Sequence, residues 1–123
     1  MKIIEAINRI DALKQNTYSQ VEKIAWLSNL DSLVKTQIID THEGGEDVTF
    51  TGYAEDTDLN TELLIPAPYD EVYLNWLEVQ IDLYNREYDK YNNAVTMYKD
   101  SLDDFSRWYN RTHMPKGTKF KFF

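Results

Sequence analysis

The beginning of the chain carries apolar residues at helical spacing. Ile3, Ile7, Ile10 and Leu13 recur every three or four positions among polar residues. Such a stripe is the signature of an amphipathic helix, so a first helix is predicted over residues 2–14.

A second helix is predicted to start after Ser19. Ser19 and Glu22 have the spacing of a capping box, in which the two side chains satisfy free N–H groups at a helix start. The inward-facing positions that follow are Val21, Ile24, Leu27, Leu30, Val34 and Ile38. The helix is expected to run to about Asp40, before the Gly44-Gly45 break.

The stretch over residues 41–65 has no helical periodicity. Val48–Tyr53 alternates as a half-buried strand does, and Leu63–Ile65 is a second short extended candidate. A connection of this length is unusual in a compact domain and often serves a partner. The sequence therefore predicts a long loop or β-hairpin, an arm able to reach a neighbouring subunit.

The second half of the chain carries the longest apolar stripe, which predicts helix throughout. Its members are Leu74, Leu77, Ile81, Tyr84, Tyr88, Tyr91, Val95, Tyr98, Leu102, Phe105 and Tyr109. One continuous rod of this length would be about 60 Å long, so a break is predicted between Tyr84 and Asn93, where Asn residues are frequent. Pro115 and Gly117 are expected to end the last helix.

The last residues form an extended tail over 112–123. Lys and Phe alternate from Lys119 to Phe122, a pattern that can add as a strand to a sheet edge in a partner. The predicted fold is thus mainly α: one domain over 1–123, a small bundle of about four helices, a loop or hairpin arm at 41–65, and this tail.

Charge is distributed unevenly along the chain. The net charge is −8, and twelve acids lie between Thr36 and Asn85 with no Lys or Arg among them. After Phe105 the pattern reverses, with five basic residues and no acid. An acidic middle repels phosphates, which disfavours a nucleic-acid reader. Opposite charges at two ends favour head-to-tail contact between copies, although a solvated acidic face with a basic tail explains the same pattern.

No residue pattern indicates catalysis, a metal site or a cofactor. The chain has no Cys, and His42 and His113 are predicted to cap helix ends. Asp56–Glu62 begins like a calcium loop, but Thr61 and Ala67 occupy the positions of its required Gly and acid. A solvated turn is the simpler interpretation, and the protein is expected not to be an enzyme.

No segment has the length and hydropathy of a membrane span. The N-terminal residues are amphipathic and lack the apolar core of a signal peptide. We therefore expect a protein inside the cell that does not contact a membrane.

Two stretches resemble a known family. They are LIPAPYDEVYLNWL at residues 64–77, and NREYDKYNNA at 85–94 continued to WYNRTHMP at 108–115. With the N-terminal helices, this pattern of helix and Pro-Tyr positions resembles the head–tail connector, or head-completion adaptor, proteins of long-tailed phages and prophages.

The resemblance implies a structural subunit that assembles with itself. About twelve copies would form a ring beneath the portal protein, extend the DNA channel and carry the tail-completion protein. DNA would only pass through as cargo. The protein would lie at the head–tail junction of the virion, and in the bacterial host cytoplasm during assembly.

The resemblance also implies where contacts lie. Residues 41–65 would face neighbours or the channel, and residues 112–123 would dock on the portal. The interface residues so implied are Glu46, Asp47, Phe50, Tyr53, Arg111, His113, Lys116, Lys119, Phe120, Lys121 and Phe122. The alternative function is a helical interaction module that acts as a coiled-coil dimer, which the long apolar stripe also suits.

Overall fold

The computed structural model describes residues 1–116 and is mainly helical. Its four α-helices are α1 (Ile3–Leu13), α2 (Gln20–Val34), α3 (Glu71–Tyr84) and α4 (Tyr88–Thr112). No β-strand forms within the described residues, where the only bridges are two isolated residue pairs. The predicted small bundle of about four helices is confirmed.

The N-terminal helix boundaries follow the sequence signals closely. Ser19 caps α2, and its hydroxyl accepts a hydrogen bond from the backbone N–H of Glu22 at 3.2 Å. The helix continues beyond Val34 as a π-helical turn over Lys35–Ile39, so helical structure does reach the residue before Asp40. The wider turn is a feature that apolar spacing does not predict.

Helix α3 lies at the centre of the bundle and contacts the other three helices. The Lys14 ammonium lies beside Asp82 at the end of α3, so α1 and α3 run parallel. The Trp76 indole donates to the carbonyl of Trp26 on α2 at 2.7 Å. Asn75 donates to the Ser101 hydroxyl of α4 at 3.1 Å. The bundle is therefore up-down-up-down, with α4 antiparallel to α3.

The predicted break in the long stripe is present between α3 and α4. Helix α3 ends at Tyr84, and Arg86 takes a left-handed backbone conformation with φ of 59°. A non-glycine residue is uncommon there. The turn folds α4 back along α3, so the stripe forms a helical hairpin and not a rod.

Folding back changes which stripe residues are buried. Leu74, Leu77, Ile81, Phe105 and Tyr109 lie in the core as predicted. The residues beside the turn are different: Tyr84 and Tyr88 are 58% and 60% exposed. Leu13 and Val21, also predicted to face inward, are exposed too. Each of these four residues lies at a helix terminus, where no neighbouring helix extends far enough to cover it.

Of the two alternatives predicted between α2 and α3, the long loop is present and no hairpin forms within the described residues. Val48–Tyr53 has no regular secondary structure and no partner strand there, Gly52 takes a φ of +95°, and Leu63 and Ile65 are buried in the core. The segment is anchored to α1 instead, where the backbone N–H groups of Ile3 and Ile4 donate to the carbonyls of Thr61 and Leu59, each at 3.0 Å. Its second half is thus part of the domain, not an arm.

No helix within residues 1–116 combines the length and the apolar character that a membrane span needs.

Candidate interaction surface

The loop after α2 is held by a compact corner built around Lys35. Its ammonium forms an ion pair with Asp40 and donates to the carbonyl of Gly45 at 3.0 Å. A Cβ on Gly45 would lie 2.3 Å from the carbonyl oxygen of Ile39, so only glycine fits this close approach. The corner fixes where the loop starts.

His42 connects this corner to the end of α4. Its Nδ1 lies 2.6 Å from the carbonyl oxygen of Ile38, and its Nε2 lies 2.7 Å from Oδ1 of Asn110. The ring is buried and meets Tyr109 edge-on, with centroids 4.9 Å apart. The prediction that His42 caps a helix end is confirmed, and the side chain joins two distant parts of the sequence as well.

The C-terminal segment pairs with the start of the loop. The N–H of Glu43 donates to the carbonyl of Met114 at 2.8 Å, and the N–H of Lys116 donates to the carbonyl of Thr41 at 3.0 Å. The pairing is antiparallel around His42 and Pro115. The Lys116 ammonium lies 3.8 Å from Glu46, an exposed ion pair of small energetic weight.

A buried carboxylate holds the middle of the segment. Asp31 of α2 is fully buried and accepts hydrogen bonds from the hydroxyls of Tyr53 at 2.5 Å and Tyr73 at 2.6 Å, and from the N–H of Leu64 at 3.1 Å. Tyr73 in turn accepts a hydrogen bond from the N–H of Ile65 at 2.7 Å. Four donors thus converge on two linked side chains, and they tie the loop to α2 and α3.

Burial perturbs the ionisation of this cluster. It raises the pKa of Asp31 above the ordinary aspartate value, although the hydrogen bonds from Tyr53, Tyr73 and Leu64 oppose the rise. Burial and the neighbouring Asp31 charge raise the pKa of both tyrosines, which remain protonated donors at neutral pH. The chemistry is that of a structural network, because the carboxylate of Asp31 is fully buried and bonded to donors of the protein itself.

The predicted interface residues that lie within the described part of the chain fall into three groups. Glu46, His113 and Lys116 lie together where the loop meets the C-terminal segment, and His113 stacks on Tyr109 with centroids 3.8 Å apart. Asp47 and Arg111 are exposed near the same end of the bundle. Lys119, Phe120, Lys121 and Phe122 lie outside the described residues.

The third group is Phe50 and Tyr53, which were predicted to contact another subunit but differ from each other in the structure. Their rings meet edge-on with centroids 5.1 Å apart. The Tyr53 hydroxyl donates to the buried Asp31 carboxylate, so Tyr53 anchors the loop inside the domain. Phe50 is only partly buried and lines an open groove of about 380 Å³ beside α2.

The opposite end of the bundle exposes large apolar side chains among charged ones such as Arg86 and Lys90. We call it the turn end; it is formed by the turns at residues 14–19 and 85–87. Among residues 1–116, seven large apolar side chains are exposed, and five of them lie at this end: Leu13, Val21, Leu83, Tyr84 and Tyr88. The Tyr84 ring stacks on Trp26 at 5.7 Å, which holds part of the patch rigid. Exposed aromatic surface of this kind is typical of protein contacts.

The acids of the loop are dispersed. Within residues 1–116, no three His, Asp or Glu side chains converge as a metal site would require. Asp58 accepts a hydrogen bond from the N–H of Asn60 at 2.9 Å and so closes its own turn.

Asp31 is the structural residue that the sequence reading overlooked. It lies four positions after Leu27 and three before Val34, both of which face inward. An acid at an inward position of a helix stripe is the signal, because it requires buried donors. Where those donors come from depends on the loop path, which spacing does not reveal.

No protein-family model matches the chain, and neither a curated protein nor a solved structure is similar to it.

Proposed function

We propose that this protein is a head–tail connector subunit of a tailed phage or prophage, whose copies assemble into a ring between portal and tail. The observation that supports it best is the chemical difference between the two ends of the bundle. The turn end carries most of the exposed large apolar and aromatic side chains of residues 1–116, whereas the opposite end carries the acidic loop and the start of the basic C-terminal segment.

A ring of identical subunits needs such a difference. Each copy must present one surface to one neighbour and a different surface to the other, because repeated heterologous contacts close into a ring. A patch around Tyr84 and Tyr88 that binds a separate surface on the next copy meets this need. In this proposal the acidic residues face the channel, where they repel passing DNA.

The remaining contacts follow from the same arrangement. Residues 113–116 lie beside Glu46 and His42, so the chain leaves the domain at the loop end. From there the tail docks on the portal, while the tail-completion protein binds the far side of the ring. The protein has no catalytic role in this account.

An isologous dimer is the second candidate. The exposed patch at the turn end can pair with itself across a two-fold axis, as an interaction module would do. The α3–α4 turn interrupts the apolar stripe, so this dimer would rest on Leu83, Tyr84 and Tyr88 and not on a long coiled coil.

Sedimentation velocity of paired variants tests the role of the turn end. Tyr84→Asp/Tyr88→Asp places charges in the patch, and we expect it to convert the assembled species to monomers. Met97→Asp is the matched control, because Met97 is as exposed as Tyr88, at 60%, but lies along α4. Assembly that survives the double substitution, or fails equally in the control, would contradict this role.

A further inference from the structure

The most informative unassigned feature is the groove beside the C-terminal half of α2. One wall is formed by Ser32, Thr36 and Asp40, which follow one another at intervals of four residues. The other wall is the irregular segment Phe50–Gly52, in which Gly52 has a φ of +95°. The groove is open to solvent and has a volume of about 380 Å³.

The backbone of the second wall makes no hydrogen bond to residues 1–116. The N–H and C=O groups of Thr49, Phe50, Thr51 and Gly52 have no partner among those residues, whereas the N–H of Tyr53 is bonded to Ser28 at 3.0 Å. Backbone groups left free in this way can pair with an added strand. Phe50 offers an apolar contact at the same place.

The path of the C-terminal segment leads to this groove. Residues 114–116 run antiparallel to residues 41–43. At Lys116 the chain therefore points toward the residues that precede Thr41, which are Asp40 and the end of α2. Those residues form the first wall of the groove.

The length and side-chain chemistry of residues 117–123 also match the groove. Seven residues follow Lys116, and fully extended they span about 23 Å. They alternate Lys119, Phe120, Lys121 and Phe122, so a strand would place both aromatic rings on one face and both ammonium groups on the other. Exposed Glu46 and Asp47 lie beside the exit point and complement the two positive charges.

We propose that the protein's own C-terminal segment, residues 117–123, occupies this groove as a strand paired with residues 49–52. The inference does not rest on the connector proposal. In a connector it would mean that the free subunit holds its tail against its own surface, and that the tail must leave the groove before it binds a portal.

Hydrogen exchange at the amides of residues 49–52 tests the proposal directly. In the full chain at low protein concentration, we expect these amides to exchange about tenfold more slowly, or slower still, than in a chain that ends at Lys116. A synthetic peptide of residues 117–123 added to the truncated chain should restore the protection. The amides of Glu55 and Asp56, in an exposed turn, serve as the internal reference.

A full-length variant covers the case in which truncation disturbs folding. Phe120→Ser/Phe122→Ser keeps the chain length and charge but removes the aromatic contacts, and we expect it to lose the protection. Met97→Ser is the control, because it alters an exposed apolar residue away from the groove. Protection that is retained in the Phe120→Ser/Phe122→Ser variant would overturn the aromatic pairing.

Two other outcomes would overturn the assignment. Equal exchange in the full and truncated chains would show that the tail does not cover the groove. Protection that disappears on dilution, together with loss of a larger species, would show that the occupant is the tail of a second copy.

Discussion

Asp31 and Asp82 are both fully buried carboxylates, yet the protein accommodates them in different ways. Asp31 receives three hydrogen bonds from two tyrosines and a backbone amide. Asp82 has the Lys14 ammonium 2.6 Å from its Oδ1, but neither of its oxygens has a hydrogen-bond partner within the described residues. The first carboxylate is embedded in a network, and the second is neutralised by a single charge.

The two carboxylates differ in how many other groups depend on them. Removing Asp31 leaves donors from three separate parts of the chain without an acceptor. The Asp31 carboxylate therefore defines the path of the loop. Removing Asp82 together with Lys14 affects only one further group, the half-exposed carboxylate of Glu78 at 3.8 Å from the Lys14 ammonium, because nothing else in the described chain bonds to Asp82. A buried ion pair of this kind is often replaceable by apolar residues at little cost.

The largest expected loss in free energy of unfolding is that of Asp31→Leu. The substitution keeps the branching and the number of side-chain heavy atoms. It leaves the hydroxyls of Tyr53 and Tyr73 and the N–H of Leu64 without an acceptor, so we expect a loss of about 3–5 kcal/mol in unfolding free energy. Urea unfolding followed by circular dichroism measures it. Asp103→Leu, at an exposed acid of α4, is the control and should change stability by less than about 0.5 kcal/mol.

Lys14→Met should have the next largest effect. It leaves the Asp82 charge buried without a cation, and we expect a loss of about 2–3 kcal/mol because Lys14 is itself partly exposed. Lys14→Met/Asp82→Leu should then recover most of that loss. A double variant as unstable as the single one would show that Asp82 has a structural role beyond its ion pair.

The two tyrosines that bond to Asp31 should contribute differently to the free energy of unfolding. Tyr73→Phe removes a donor to Asp31 and also the acceptor for the N–H of Ile65, so a loss of about 2 kcal/mol is expected. Tyr53→Phe removes one donor from a half-buried site and should cost about 1 kcal/mol. Equal losses in thermal or urea unfolding would mean that the Ile65 bond adds nothing.

The smallest effect concerns pH. Because burial raises the pKa of Asp31 in the folded state, the folded protein binds a proton more readily than the unfolded chain. The contribution of Asp31 to stability therefore falls as pH rises from the ordinary aspartate pKa to the raised value, with a slope of at most about 1.4 kcal/mol per pH unit. Relative to Asp31→Asn, the wild type should gain stability on acidification through that window. Parallel urea unfolding of both proteins across the acidic range would reveal it, and identical pH profiles would contradict it.

Much of the helical framework could be predicted from local signals. The stripe of Ile3, Ile7 and Ile10 predicted α1, and the Ser19 cap predicted the start of α2. The break between α3 and α4 was predicted from Asn-rich sequence and from the improbable length of one rod. Each of these depends on residues that are close together in the chain.

The loop could not be predicted in the same way. Val48–Tyr53 alternates as a strand does, but its conformation depends on Asp31 and Ser28 of α2 and not on a partner strand. The exposure of Tyr84 and Tyr88 likewise depends on how far the neighbouring helices extend. Periodicity gives the face of a helix, whereas burial at its ends is decided by the tertiary arrangement.

Absolute mass by light scattering, taken over a wide concentration range with negative-stain images of the largest species, tests the connector proposal most directly. We expect closed rings of about twelve subunits. A tight two-fold dimer at every concentration would contradict it and would favour the interaction module that pairs through the turn end.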